Sequence, residues 1–577
     1  MLSGKTLKNY LPLILIIILA SFLRLLWLDK VPNAIGGDEL TYLVNSKAMF
    51  LKGTDISGSW NPLTGFIFNY PSYTLPQAEF PYFLFVPTVG PFDFSLFNAR
   101  IATAVLSISS VLLIYFVSSR LFDKKVGLAS SFIAAINPWA IYMGRTSYEQ
   151  APAIFFYLLA FYCLLVLKGR KILFTIPLFF LAFYSYVATK VSFIPFVLIS
   201  ILFVYFFVNK RKYLQEYLIV FISCLFLVLL FGLTLINSSG PSRVGELITP
   251  KAQLISEEVD YIRKISIQNP LTNVLENKVT IFSRILITKF MKSLSLDFLF
   301  INGDQFFSIF RHGLFYVLDA LFLVLGLAAA FVYKRKVFWL LSGIAVAGIL
   351  PQLAHSANTD NFSIHLSLFF AFITIFMGVG LAEVLNLIKN KKYLYLSGGL
   401  IGVLYLFLVV NFFNIYFFQF PMQGNFDFHV RLLSKYVSSV PNDKEILIYS
   451  PSAGDIFKKY IFYSNNYNSD SYELVKSIYD KDNFKFKNVN FLACDNTLDF
   501  SEKNEVILYD EQCGSNIKSV HLTIPRLKDG GESYKIYNDS ICKGMNLKRY
   551  PASLSIEDFA IEKMQTNKFC ETFITSL

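Results

Sequence analysis

The sequence predicts a polytopic α-helical membrane protein of about eleven transmembrane helices, with a small extracytoplasmic α/β domain at its C-terminal end. Three observations predict it. The 577 residues are 54% hydrophobic and only 16% charged, where a soluble chain carries about a quarter charged residues. Apolar runs of about 20 residues, the length that crosses about 30 Å of hydrocarbon, recur over residues 1–420. Past residue 420 the pattern shortens to alternating apolar runs of strand type.

The first run, "NYLPLILIIILASFLRLLWL", is long and no small-residue cleavage site follows it. It therefore reads as a retained span rather than a signal peptide. Ten more runs follow, near 97–119, 127–143, 151–167, 173–189, 191–208, 214–236, 314–333, 337–353, 363–388 and 393–417. Charge checks that count. With eleven spans, the basic clusters Lys5/Lys8, Arg120/Lys124/Lys125, Lys168/Arg170/Lys171, Lys210/Arg211/Lys212, Lys334/Arg335/Lys336 and Lys389/Lys391/Lys392 all fall on one side. Short basic loops face the cytoplasm. The N-terminus is then cytoplasmic, and the outer face receives loops 29–96 and 237–313 and the tail. The chain divides into a membrane domain, 1–420, and an extracytoplasmic domain, 421–577.

Net charge is +12, but its placement argues against a nucleic-acid partner. Residues 1–420 hold 33 Lys and Arg against 19 Asp and Glu, and residues 421–577 hold 19 against 21. The excess belongs to the membrane loops, next to lipid. In the tail, "EILIYS", "NVNFLAC", "NEVILYD" and "ESYKIY" alternate with the helix-like "AGDIFKKYIFYSNN", as in a small α/β fold. Cys163 and Cys224 lie in apolar spans and read as packing residues. Cys494, Cys513, Cys542 and Cys570 all lie in the tail, where they could form two disulfides of open connectivity.

The first outer loop holds "GGDELTYLVNSKAMFLKG", residues 36–53. Asp38 follows two glycines and opens a stretch of helical spacing that ends at Lys52-Gly53. Locally this reads as a helix whose N-cap is Asp38, with Glu39 in the first turn against the dipole. A rigidly held carboxylate beside the bilayer is also well placed to take a proton from a hydroxyl.

A first span followed by "GDE" and an amphipathic helix resembles the C-type (GT-C) membrane glycosyltransferases, more narrowly the protein O-mannosyltransferase and ArnT-like aminoarabinose-transferase group. "FNARIATAVLSISSVLLIYFVSSRLFDKKVGLASSFIAAINPWAIYMGRTSYEQAPAIFFYLLAFYCLL" is similar to that family's spans two to four, with an Arg opening the second and an Arg-x-x-x-Glu turn closing the Pro-containing third. "FLFINGDQFFSIFRHGLFYVLDALFLVLGL" resembles the re-entry from the large outer loop, and "GILPQLAH" the Pro-ended span after it. The resemblance covers about residues 10–420. It implies an inverting transfer from a polyprenyl-phosphate-linked sugar donor to an acceptor protein, lipid or glycan on the outer face. By carry-over Asp38 is the general base, and Glu39 orients the helix, a metal or the acceptor. A divalent metal ion is left open as the one cofactor to consider.

A lipid phosphate calls for cations near the headgroup level, above all the arginine fork. The candidates are Arg145 in "GRTSYEQ", with Glu149 fixing it, then Arg311, Lys289 and Lys292. Arg100, Glu149, Tyr82, Asp93, His312 and His355 are expected to line the cleft, Arg100 at the mouth of span two and Tyr82 as a stacking ring. Tyr82 lies in residues 69–92, a stretch with prolines at 71, 76, 81, 87 and 91 that is expected to lie flat at the interface. There is one departure from the family. Where it brings an Arg toward the phosphate after span nine, this chain offers His355, Asp360 and His365, a set that could also suit a metal. Two other readings compete. A transporter or lipid flippase tends to show an inverted repeat and mid-span charges, whereas this sequence shows no inverted repeat and few ionisable residues mid-span. An O-antigen ligase or polymerase would favour large late loops.

Overall fold

The computed structural model describes residues 4–60, 78–236, 252–267, 269–309, 311–355, 361–423, 427–479, 481–495, 505–514, 522–545, 547 and 553–576. It is an integral membrane protein of mostly helical build with a C-terminal sheet. Among the described residues, six helical segments are long and apolar enough to cross a membrane: Leu96–Leu121, Lys190–Val208, Leu214–Leu233, Arg335–Ala354, Ser363–Leu387 and Lys391–Gln423. Shorter apolar helices run over Tyr10–Leu25, Phe80–Val89, Gln150–Val166 and Val317–Tyr333.

The helices that build the site are α1 (Gly4–Leu25), α2 (Gly37–Lys52), α3 (Phe80–Val89), α4 (Leu96–Leu121), α5 (Lys124–Ile136), α6 (Gln150–Val166), α7 (Thr175–Ser185) and α8 (Lys190–Phe203). Later come α9 (Lys278–Ser293), α10 (Val317–Tyr333), α11 (Ser367–Leu387) and α12 (Lys391–Asn414). The core sits on α11, every residue of which is buried from Ser367 to Ala382. Close helix crossings explain its glycines. A Cβ on Gly380 would lie 2.0 Å from the Phe322 carbonyl oxygen of α10, and one on Gly326 would lie 1.8 Å from that of Phe376. Small residues let backbones approach where apolar burial gives helices no reason to associate in lipid.

The run expected as one span over 127–143 is two helices. α5 stops at Ile136, and a short helix, Pro138–Met143, begins anew with the Asn137 side chain accepting the Ala140 N–H at 2.6 Å. Pro138 lacks the N–H that would continue α5, and its ring favours a first helical position.

In the C-terminal domain, α13 (Phe428–Ser439) and α14 (Ala453–Tyr463) join β1 (Ile446–Tyr449), β2 (Phe484–Phe486), β3 (Val489–Leu492), β4 (Val506–Asp510), β5 (Leu522–Pro525), β6 (Glu532–Tyr537) and β7 (Thr575–Ser576). The sheet order is β2-β3-β1-β4-β6-β5-β7, with β1 parallel to both β3 and β4 and the other pairings antiparallel. All four runs read as strands are strands, and the helix-like run is α14. The four tail cysteines pair as Cys494–Cys513 and Cys542–Cys570.

Candidate active site

Local sequence sets the start of α2, but with the carboxylates in roles other than those expected. Asp38 is not the N-cap. That position falls to Gly36, and Glu39 reaches back to accept the Gly36 N–H at 2.8 Å. Its other oxygen accepts the Ser147 N–H at 2.5 Å, from the "RTSYEQ" turn. Glu39 is fully buried. Burial pushes its carboxyl up, opposed by the Arg100 guanidinium and by these two N–H donors. Gly36 is needed for space, since a Cβ there would meet the Tyr148 hydroxyl at 2.6 Å. The other end of α2 is as expected, with Gly53 left-handed (φ 70°) and its N–H bonded to the Met49 carbonyl.

Asp38, one residue earlier, points elsewhere. It is exposed and has no hydrogen-bond or ion-pair partner among the described residues. The protein around it still raises its carboxyl from the usual range by desolvation. Glu149, at the entry to α6, faces it, and burial followed by the like charge of Asp38 pushes Glu149 up to about 8. Three tyrosines missed in the sequence close the group. Tyr42 faces Glu149 and Asp38, Tyr148 faces Glu39, Asp38 and Glu149, and Tyr186 faces Glu149 and Asp38. Tyr148 carries a signal in hindsight, lying between the expected Arg145 and Glu149. Tyr186 carries none, because it sits in a break between α7 and α8.

The expected arginines do different work. Arg145 is fully buried and donates to the carbonyls of Leu23, Trp27 and Val31 at 2.8–3.2 Å and to the Tyr416 hydroxyl at 3.2 Å. Its planar face covers Phe417, 4.9 Å from the ring centroid. The fork expected for a phosphate is thus occupied by backbone, and Glu149 is not its partner. Arg100, also fully buried, donates to the carbonyls of Leu28, Pro32 and Ala34 at 2.7–3.1 Å and adds its field to Glu39. It braces the carboxylate pair from behind rather than lining a cleft. A third buried arginine, Arg431 of α13, donates to the Asn33 carbonyl and to both oxygens of Glu562, at 2.7 and 2.6 Å. Asn33 in turn donates to the Pro421 carbonyl at 2.6 Å, and the Ile35 N–H to the Tyr463 hydroxyl at 2.9 Å. The link between α1 and α2 is therefore wrapped by arginines from α4, from the 144–149 turn and from the C-terminal domain.

A corner of two histidines and a lysine adjoins Tyr186. Tyr186, which faces both acids, stacks on His365 at 6.4 Å between ring centroids, and His365 lies 4.7 Å from His355. Lys289 of α9, buried, donates its amino group to the His355 carbonyl. Burial and the Lys289 charge hold His355 below its usual range and so neutral. Asp360 lies outside the described residues, as do 61–77 of the proline-rich stretch. Among the described residues no three His, Cys, Asp or Glu side chains gather as for a metal. Lys292 is exposed and lines a shallow cavity with Asp304 and Asn361. Asp304, another residue missed in the sequence, ties this loop down by accepting the Ser363 and Phe306 N–H groups, each at 2.7 Å. That brings Phe307 edge-on to Tyr148 at 5.5 Å.

Other expected cleft residues lie apart. Tyr82 is buried against Tyr42 and Trp60, at 5.2 and 5.5 Å, and is a core ring rather than an open platform. Asp93 is exposed beside a separate cavity of about 650 Å³ that it shares with Asp29, Phe97, Phe462 and Glu562. His312 packs on Tyr316 and Phe412 and is held neutral by burial. Arg311 is exposed at a left-handed turn (φ 55°).

Comparison with known proteins follows this geometry. No curated protein matches the chain. Among solved structures it is similar to the archaeal oligosaccharyltransferase AglB from Archaeoglobus fulgidus in complex with an inhibitory peptide and a dolichol-phosphate. That match has 12% identity and a TM-score of 0.47, covering 87% of this chain and 70% of that one. It is also similar to ArnT from Cupriavidus metallidurans bound to undecaprenyl phosphate, with 12% identity and a TM-score of 0.49, covering 92% and 98%. Residues 91–232 match the family described as dolichyl-phosphate-mannose-protein mannosyltransferase. The matched segment, residues 91–232, carries Arg100, Arg145 and Glu149, and the description of the family agrees with the resemblance read from the sequence.

Proposed function

We propose that the protein is an inverting glycosyltransferase that moves a sugar from a polyprenyl-phosphate donor to an acceptor hydroxyl, with Asp38 as general base. The observation that carries this reading is the division of labour in one dipeptide. Glu39 is spent on two backbone N–H groups, while Asp38, on the same rigid first turn, keeps an exposed carboxylate with no partner among the described residues. A fixed and unspent carboxylate is what a general base requires.

The acceptor oxygen would attack the anomeric carbon from the face opposite the phosphate. A new carbon–oxygen bond forms as the sugar–phosphate bond breaks, the hydroxyl proton passes to Asp38, and polyprenyl phosphate leaves. The leaving phosphate would sit at the Lys289, His355 and His365 corner, with Lys292 and Arg311 as cations further out. Arg145 and Arg100 would hold the frame. Two features support the outer face as the place of reaction: the single-sided basic clusters and the paired cysteines of the C-terminal domain.

Asp38→Asn tests the base. Transfer from radiolabelled polyprenyl-phosphate sugars in membranes is expected to vanish, with expression and polyprenyl phosphate binding retained. Wild-type turnover in this variant would refute the assignment.

A further inference from the structure

The second carboxyl of the cleft has an environment that the base assignment does not use. Glu149 lies at the entry to α6 and makes no capping bond. Its Oε2 is buried with no hydrogen-bond partner among the described residues. The groups that face it are Asp38, Glu39 and Tyr42 of α2, its neighbour Tyr148, and Tyr186 from the α7–α8 connection. None is a cation. The arginine four residues before it, Arg145, is occupied by carbonyls. Tyr42, whose oxygen accepts the Ala78 N–H at 3.1 Å, turns its own hydroxyl proton to the Glu149 carboxyl, which favours the ionised form but is outweighed by burial and the Asp38 charge. An ionised carboxylate buried beside other acids, with no cation acting on it among the described residues, would cost more than binding a proton.

We propose that Glu149 is held as a neutral carboxylic acid beside Asp38 and donates a hydrogen bond from Oε2 to an oxygen of the substrate. This rests on Asp38 being the base. The two carboxyls then divide the chemistry, one accepting a proton and the other offering a hydrogen bond without releasing its proton. The substrate oxygen is either a phosphate oxygen of the donor or the acceptor's hydroxyl oxygen. In a site that excludes water, such a donor gains strength as charge develops on the leaving phosphate.

The state of Glu149 is read without any sugar. Infrared difference spectra of the full chain in lipid nanodiscs, wild type minus Glu149→Gln, should show a protonated-carboxyl stretch at pH 7 that titrates away near pH 8. An ionised carboxylate at pH 7 would overturn the proposal. Turnover is the second readout. Glu149→Gln, which keeps a donor, should retain activity within a few-fold and lose the alkaline fall-off of the wild type. Glu149→Ala should lose about 10-fold or more. A Gln variant as weak as the Ala variant would also overturn it. A loss in kcat with unchanged acceptor KM assigns the bond to the phosphate, and a rise in acceptor KM assigns it to the hydroxyl. If Asp38→Asn stays active while the infrared band behaves as expected, the base assignment fails and the neutral state of Glu149 stands.

Discussion

The carboxyl pair Asp38 and Glu149 and the arginine-wrapped link that precedes α2 are opposite in character. In the link, Arg100, Arg145 and Arg431 are fully buried and donate to carbonyls of residues 23–34, the Arg100 Nε alone of their nitrogens lying buried without a partner among the described residues. In the cleft, Asp38 has no partner among the described residues, and Glu149 has an oxygen in the same state. A buried charge persists only where it is paired or hydrogen-bonded, so the first region is a frame. Groups left unspent on a rigid frame are available to a substrate, so the second is the candidate site. Glu39 marks the boundary, adjacent to Asp38 in sequence and fully consumed by the frame.

Substitutions at the boundary should separate the two regions. The largest effect is expected at Asp38→Asn, about 10²–10⁴ in turnover, with no change in melting temperature because the side chain is exposed. A large fall in melting temperature would instead move Asp38 into the frame. Glu39→Ala should do the opposite. It strands the Gly36 and Ser147 N–H groups and the Arg100 charge, at a cost of about 2–5 kcal/mol, read as a lowered melting temperature before any kinetic effect. Arg431→Ala, which strips the Asn33 carbonyl and Glu562 of their donor, should cost about 2–4 kcal/mol. It should also loosen the C-terminal domain, seen as faster hydrogen exchange over residues 30–35. Gly36→Ala, pressing a methyl on the Tyr148 hydroxyl, should cost about 1–3 kcal/mol and lower turnover by shifting α2.

A separate test reads stability against pH. Glu149 is raised from 4.5 to about 8 in the fold, so between those values the native state holds a proton that the unfolded chain has lost. Stability should therefore fall as pH rises through that window. Melting curves of Glu149→Gln should lack this part of the slope, and an identical slope would show that the carboxyl is ionised in the fold.

Much of this was legible in sequence. Apolar run length announced the bundle, alternation announced four of the strands, and the tail cysteines announced two disulfides without their pairing. Lys52-Gly53 marked the end of α2, because glycine alone adopts a left-handed cap at no cost. Local reasoning went astray where partners come from far along the chain. It gave Asp38 the cap that Gly36 holds, because it could not see the Tyr148 hydroxyl over Gly36 or the Ser147 N–H that draws Glu39 inward. It gave Arg145 to a phosphate, because nothing in "GRTSYEQ" shows that the carbonyls of 23–31 lie against it. It read one span through Asn137-Pro138, although the proline itself was the signal for a break.

By itself, then, the sequence determined the membrane-spanning class, the placement of a carboxylate pair after the first span, and the change to an α/β tail. These rest on composition and periodicity, which act over a few residues. Only the tertiary structure decided which carboxylate lacks a partner, which arginines are spent on carbonyls, and that the charge of Asp38 bears on Glu149. Burial and hydrogen-bond partners fix the state of an ionisable group, and here the carbonyl partner of Arg431 lies 398 residues away in the chain.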